Sequence, residues 1–301
     1  MNELLPALYD HLEPVALRIA TRAAAFEPID AQRAYLIDVA RQMVAAGSFR
    51  SEAPSAITPP GLEGALGWFK LLDAHLEEFL TGRMEAAEII AQGGGRLWET
   101  FMAHDLVCAV FGHGVARALA PMLPGADVLE LGTGTGGTTR RMAADLPVAN
   151  RVVLSDLRQS FLDRVAAELP GVTVETAILD INVPHPEIGR FDLIFSTNCI
   201  HVAKDVPATL AWVRQCLKPG GALVLGEGSH YAIDLPAPVA LVLALFNGWW
   251  DVPTSPARPQ PGFMLPEHWF AAFEAAGFRH MSMERWTDGR RTFGGVYWAF
   301  A

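Results

Sequence analysis

Residues 127–137 read Asp-Val-Leu-Glu-Leu-Gly-Thr-Gly-Thr-Gly-Gly, and this stretch constrains the fold more than any other in the chain. A short apolar strand runs into a glycine loop and then into a helix beginning near Thr138. Gly132, Gly134 and Gly136 stand at alternate positions, where the lack of a Cβ lets the backbone turn tightly and approach a ligand. A second acid, Asp156, lies 26 residues beyond Glu130, at the end of another apolar segment, Arg151–Ser155. A carboxylate there is placed to hold the two hydroxyls of a ribose. Strand, glycine loop, helix, strand and acid together outline a nucleoside-cofactor site.

The segments that follow extend this pattern. Strands are expected at 127–131, 151–155, 172–178, 191–197 and 221–227, with helices at 138–146, 158–168 and 205–217 between them. The strands at 191–197 and 221–227 are apolar along most of their length, as strands covered by helices on both faces are. A helix at 266–276 precedes two last strands near 279–286 and 292–300. The connection Thr-Asp-Gly-Arg-Arg, 287–291, suits a hairpin, so this pair is expected to be antiparallel. The fold class is α/β, a Rossmann-like sheet that is mostly parallel and ends in a C-terminal antiparallel hairpin, plus an N-terminal helical region. Residues 1–50, 66–80, 84–90 and 97–119 carry helical apolar spacing, interrupted by a Ser51–Gly64 connection and by Gly93-Gly94-Gly95. The division is set near residue 120: a helical region over 1–120, read as a lid or dimerisation region, and a nucleoside-binding core over 121–301 with an insertion at 229–265.

Composition removes several classes of partner. At 301 residues and 51% hydrophobic, the chain is long enough for a large core with an appendage. Its net charge of −10 argues against nucleic acid and against an anionic membrane surface. Cys108, Cys199 and Cys216 are odd in number and lack metal-ligand spacing, so no metal site is expected and a reducing cytoplasm fits best. The N-terminus has no basic segment followed by an apolar run, and the longest apolar stretch, Ala237–Phe246, is too short to span a bilayer.

In open α/β sheets ligands sit beyond the carboxyl ends of the strands. There the first strand presents Glu130 and the glycine loop, and the second Asp156 and Leu157. The third presents Asp180, placed to accept from an adenine amino group, and Ile181, placed to pack on the ring. The fourth presents Asn198 and His201, and the fifth Glu227. His201 and Glu227 leave successive strands on one edge, and a carboxylate beside a histidine fixes its tautomer and makes it a better proton acceptor. The plainer reading of His201, a helix cap or a bond to a backbone carbonyl, is outweighed by its place beside the cofactor loop and a carboxylate; His104, His113 and His230 are weaker candidates, His113 reading as a loop or packing residue. In the insertion, Phe246, Trp249 and Trp250 are candidates to wall a substrate pocket or close over it, with core packing as the alternative.

The Glu130-x-Gly132-x-Gly134-x-Gly136 arrangement resembles motif I of class I methyltransferases that use S-adenosyl-L-methionine (SAM), rather than the G-x-G-x-x-G of dinucleotide folds. The resemblance narrows to the C-methyltransferase domains of polyketide synthases through Ser155-Asp156, Leu179-Asp180-Ile181, Phe191–Ile194, Asn198-Cys199-Ile200-His201, Leu217–Gly221, Glu227-Gly228-Ser229, Gly248-Trp249-Trp250 and Ala275–Phe278. It covers roughly residues 66–286. It implies SAM as cofactor and a His–Glu dyad, here His201 and Glu227, that deprotonates an enolisable carbon of a polyketide-like or β-dicarbonyl acceptor. O-methylation of a small-molecule hydroxyl and non-catalytic SAM binding are the alternatives. Read as a free-standing chain, its expected partners are a small-molecule or carrier-protein-bound acyl substrate and, through the N-terminal helices, a second copy of itself.

Overall fold

The computed structural model describes residues 1–47, 60–169 and 171–301. Most of the expected Ser51–Gly64 connection lies outside the described residues. The chain divides into two compact units. One comprises 1–107, 229–252 and 286–293; the other comprises 108–228, 253–285 and 294–301.

Helices α1 (Leu4–Ala23), α2 (Ala31–Ala46), α3 (Glu63–Leu80) and α4 (Ala86–Glu99) build the first unit. Their apolar faces bury Leu8, Leu12 and Ile19 of α1, Leu36 and Val39 of α2, and Trp68, Leu72 and Phe79 of α3. Asp30 caps α2 by accepting the Arg33 N–H. The N–H groups opening α3 are met from a distance: the buried Asp105 carboxylate accepts from Gly64 at 2.9 Å and Ala65 at 2.5 Å. The triple glycine kinks α4 at Gly94, where φ is +62°, rather than separating two helices by a loop.

Helix α5 (Leu106–Leu119) leads into the sheet: β1 (Asp127–Leu131), α6 (Gly137–Arg141), β2 (Arg151–Asp156), α7 (Gln159–Ala167), β3 (Glu175–Ile178), β4 (Phe191–Thr197), α8 (Val206–Gln215) and β5 (Leu217–Gly228). A short α9 (Ala240–Leu243) follows in the first unit, then α10 (Pro266–Ala275), β6 (Arg279–Thr287) and β7 (Thr292–Phe300). The strand order is β3-β2-β1-β4-β5-β7-β6; β1 to β5 run parallel and β7 pairs antiparallel with β5. The Rossmann-like sheet with an antiparallel end is therefore as the sequence pattern anticipates. Beneath it packs one core of β1, β4, β5, α8, α10 and β7 side chains, Leu129, Ile194, Leu210, Leu223, Trp269 and Tyr297 among them.

Three elements differ in extent from the expected ones. The helix set at 138–146 stops at Arg141, and Pro147, which has no N–H to donate, sits in a separate 3₁₀ turn, Leu146–Val148. The strand set at 172–178 begins only at Glu175, where pairing with Val153 starts. The strand set at 221–227 runs from Leu217 to Gly228, taking in Lys218-Pro219-Gly220 through an irregularity in its pairing with β4.

Candidate active site

The glycine loop leaves β1 with positive φ at Gly132 (+71°), Gly134 (+53°) and Gly136 (+75°). At Gly132 the need for glycine is steric as well, because a Cβ would overlap the Cys199 sulfur. A Cβ at Gly134 would meet nothing nearer than 3.8 Å, so this edge of the loop faces open space.

Asp156 fastens the loop. One carboxylate oxygen accepts the Gly134 N–H at 2.8 Å and the other accepts the Arg158 N–H at 2.9 Å. Leu157 beside it is 63% exposed. At the end of β3, Asp180 accepts from the backbone and side-chain amides of Asn182. Ile181 is buried, and its carbonyl accepts from Thr209 and from the Trp212 indole.

Glu130 points inward. It is 3% exposed and accepts from the Thr139 hydroxyl, which ties β1 to the helix after the loop. Burial, reinforced by the Asp156 charge, pushes its carboxyl up to about 7. Burial likewise pushes the Cys199 thiol up to about 12, so it packs as a neutral group against the loop.

β4 and β5 bring His201 and Glu227 together. Thr197 pairs with Gly226, and the Asn198 N–H continues the ladder to the Gly226 carbonyl at 2.9 Å. Asn198 then takes φ +49°, a left-handed conformation that asparagine tolerates better than most residues. The chain turns there into the 3₁₀ segment Ile200–Val202. One Glu227 oxygen accepts the N–H groups of Cys199 at 3.2 Å and Ile200 at 3.1 Å, and the other lies 2.6 Å from His201 Nδ1. Glu227 is 0% exposed and His201 5%, so the carboxylate is held out of water with three hydrogen bonds in place of hydration.

Two residues that the sequence pattern does not single out also approach His201. Phe263 lies edge-on to the imidazole, with ring centroids 5.6 Å apart, and would collide with any side chain at Gly228. Arg258 donates to the His201 carbonyl at 3.0 Å. Neither sits in a periodic segment, and both are separated from His201 by more than fifty residues, so no local signal marks them.

The loop glycines, Asp156, Leu157, Asp180, Ile181, Asn198, His201 and Glu227 are thus gathered at one edge of the second unit's sheet. Phe246, Trp249 and Trp250 belong to the first unit. There Phe246 packs against Trp68 and Trp98, and the buried Trp249 donates its indole N–H to the Tyr35 hydroxyl at 3.0 Å.

A nucleoside cofactor fits this edge. The backbone is bare where Gly134 faces open space, and the buried Asn198 Oδ1 has no partner among the described residues. Among those residues no group of three or more His, Cys, Asp or Glu side chains is placed to hold a metal ion. No helix there is long and apolar enough to cross a membrane.

Residues 128–221 match a family model described as a methyltransferase domain. The chain is 30% identical over 274 residues to polyketide synthase ThaG of Burkholderia thailandensis, covering 83% of this chain and 5% of ThaG. It is 34% identical over 196 residues to polyketide methyltransferase ustM of Ustilaginoidea virens, covering 59% of this chain and 43% of ustM. It thus spans less than half the length of either relative. Two solved structures share the fold. The carbon methyltransferase of CurJ superposes with a TM-score of 0.75 at 21% identity, covering 100% of this chain and 94% of its own. The trans-methyltransferase CalH, in complex with SAH, superposes with a TM-score of 0.78 at 17% identity, covering 98% and 90%.

Proposed function

From the premise that this chain is a class I SAM-dependent methyltransferase resembling the C-methyltransferase domains of polyketide synthases, we propose that it methylates an enolisable carbon of a polyketide-like or β-dicarbonyl acceptor. The observation that carries this reading is the 2.6 Å pairing of His201 Nδ1 with the buried Glu227 carboxylate. A carboxylate only accepts, so Nδ1 holds the proton of the neutral ring and Nε2 is the basic nitrogen. His201 Nε2 takes the α-proton of the acceptor, and the imidazolium so formed stands against the Glu227 anion. The electron pair left on carbon is the nucleophile. The cofactor, when bound, supplies an electrophilic methyl group on a sulfonium. General-base help of this kind contributes about 10²–10⁴-fold.

For the cofactor, the bare backbone at Gly132, Gly134 and Gly136 forms the cradle. Asp156, fixed by two backbone N–H groups, has lone pairs left for ribose hydroxyls. Leu157 and Ile181 flank the adenine, Asp180 accepts from its amino group, and Asn198 Oδ1 accepts from a cofactor donor. Glu130 acts through the loop by holding Thr139. The acceptor is a small-molecule or carrier-protein-bound acyl substrate, a class supported by the polyketide enzymes named above.

The test supplies acetoacetyl-N-acetylcysteamine and SAM carrying a ¹³C-methyl group. The expected product bears the label on the carbon between the carbonyls. In His201→Ala, SAM affinity by calorimetry stays within about threefold while turnover falls about 10²–10⁴-fold. Label on oxygen, or near-wild-type turnover in the variant, overturns the reading.

A further inference from the structure

Arg258 is 2% exposed, and none of the five bonds its side chain donates goes to a carboxylate. All five guanidinium N–H groups go to backbone carbonyls. Nε donates to Pro253 at 3.0 Å; one terminal nitrogen donates to His201 at 3.0 Å and Ala203 at 2.5 Å; the other donates to Lys204 at 3.0 Å and Pro253 at 2.7 Å. A guanidinium has five N–H groups in a fixed plane, so this side chain is fully satisfied. Lysine, with three donors on one atom, cannot reproduce the set.

Three of those carbonyls belong to the turn that presents the imidazole. The same turn is held at its opposite end by Glu227, which takes the N–H groups of Cys199 and Ile200. An anion thus satisfies its leading N–H groups and a buried cation its trailing carbonyls, the groups that a short turn leaves without internal partners. The seat of Arg258 is itself closed. Ser255 and Arg258 exchange backbone hydrogen bonds at 2.8 and 2.9 Å, and the Arg258 N–H also meets the Ser255 hydroxyl at 3.1 Å. Five residues further on, the same segment lays Phe263 edge-on to the imidazole ring.

We propose that Arg258 is a positioning residue for His201: by gripping the carbonyls of His201, Ala203 and Lys204 it sets where the imidazole stands against Glu227. Its role in turnover rests on reading His201 as the base; its effect on the ring does not. The geometry required is tight, since a displacement of about 1 Å in a reacting group can cost about a hundredfold in rate.

The test compares Arg258→Met and Arg258→Lys with the wild type. It measures kcat, the KM for SAM and for acetoacetyl-N-acetylcysteamine, circular dichroism, and the ¹⁵N and Nδ1–H resonances of His201 in histidine-labelled protein. Arg258→Met is expected to keep the wild-type far-ultraviolet spectrum and both KM values within about threefold, to lose about a hundredfold in kcat, and to show a displaced or broadened Nδ1–H signal. Arg258→Lys is expected to recover about tenfold of that loss, because it restores the charge but only part of the bonding. An unchanged His201 signal in folded Arg258→Met overturns the proposal, as does a loss of kcat that merely tracks lost SAM binding. If the methionine variant does not fold, wild-type kcat and His201 signals in Arg258→Lys overturn it. Should His201→Ala retain turnover, the base reading fails, and the His201 resonances still decide whether Arg258 positions the ring.

Discussion

Glu227 grips His201 twice, through the ring nitrogen Nδ1 at 2.6 Å and through the N–H of the preceding residue, Ile200, at 3.1 Å. One buried carboxylate therefore fixes both the tautomer of the imidazole and the turn that carries it. The two functions use different oxygens, so a side chain of the same shape with only one acceptor oxygen cannot serve both.

Glu227→Gln follows directly. If the amide oxygen keeps the Cys199 and Ile200 N–H groups, the amide nitrogen faces Nδ1 as a donor and drives the ring proton to Nε2, the nitrogen assigned to take the substrate proton. Turnover is expected to fall about 10³–10⁴-fold, the scale of a wrong-tautomer change in a histidine–carboxylate pair. SAM affinity should stay within a few-fold. Steady-state kinetics beside calorimetry checks this, and a loss of turnover below tenfold would sink it.

Gly132→Ala tests the fit of the loop against β4. Alanine at φ +71° costs about 1–2 kcal/mol in backbone energy, and its methyl overlaps the Cys199 sulfur. SAM affinity is expected to fall at least about tenfold. Adding Cys199→Ala removes the sulfur and should recover part of that loss, leaving the backbone cost and the 2.9 Å approach to the Cβ of residue 199. Identical affinities in the single and double variants would show that the sulfur is no obstacle.

Glu130 predicts a pH dependence of stability. Its carboxyl is raised from 4.5 to about 7 by burial and by Asp156. Between those values the folded chain holds a proton that the unfolded chain has released. Stability therefore falls as pH rises through this window, by about 3 kcal/mol in total, and the loss is complete above it. Glu130→Gln has no proton to lose. Its unfolding free energy relative to wild type, from urea titrations, should be about 2.5 kcal/mol more favourable at pH 8 than at pH 5. Equal differences at the two pH values would contradict the assignment.

The sheet was legible because its signals are local. Parallel strands buried on both faces appear as apolar runs such as Leu193–Phe195 and Leu223–Leu225, and the glycine loop fixes the first crossover. His201 and Glu227 could be paired from sequence because they end neighbouring strands in register. What no local pattern carries is the chain that returns. Arg258 and Phe263 reach His201 from a proline-rich stretch without periodicity. The partners of Trp249 and Phe246 are helices roughly two hundred residues earlier. The inward turn of Glu130 onto Thr139 depends on how α6 packs, which the motif does not encode.

The last prediction concerns the first unit, where the hairpin joining β6 and β7 carries a buried charge that the sequence pattern reads only as a turn residue. Arg291 is bonded to Asp10 at 3.0 Å, to Glu13 at 2.6 Å and to Asp288 at 2.7 Å, and Glu13 also accepts the Tyr231 hydroxyl at 3.0 Å. Arg291 and Glu13 are both buried, so removing the cation alone strands a carboxylate out of water. Arg291→Met is expected to destabilise the protein by about 3–5 kcal/mol. Removing both charges, Arg291→Met with Glu13→Gln, should cost less than the two single changes together imply, because the amide still accepts from Tyr231 and the carboxylates that still lose Arg291, Asp10 and Asp288, are partly exposed to water. Urea unfolding of the wild type, both single variants and the double variant gives the coupling directly. Additive losses would mean that Arg291 and Glu13 stabilise this unit independently rather than as a pair.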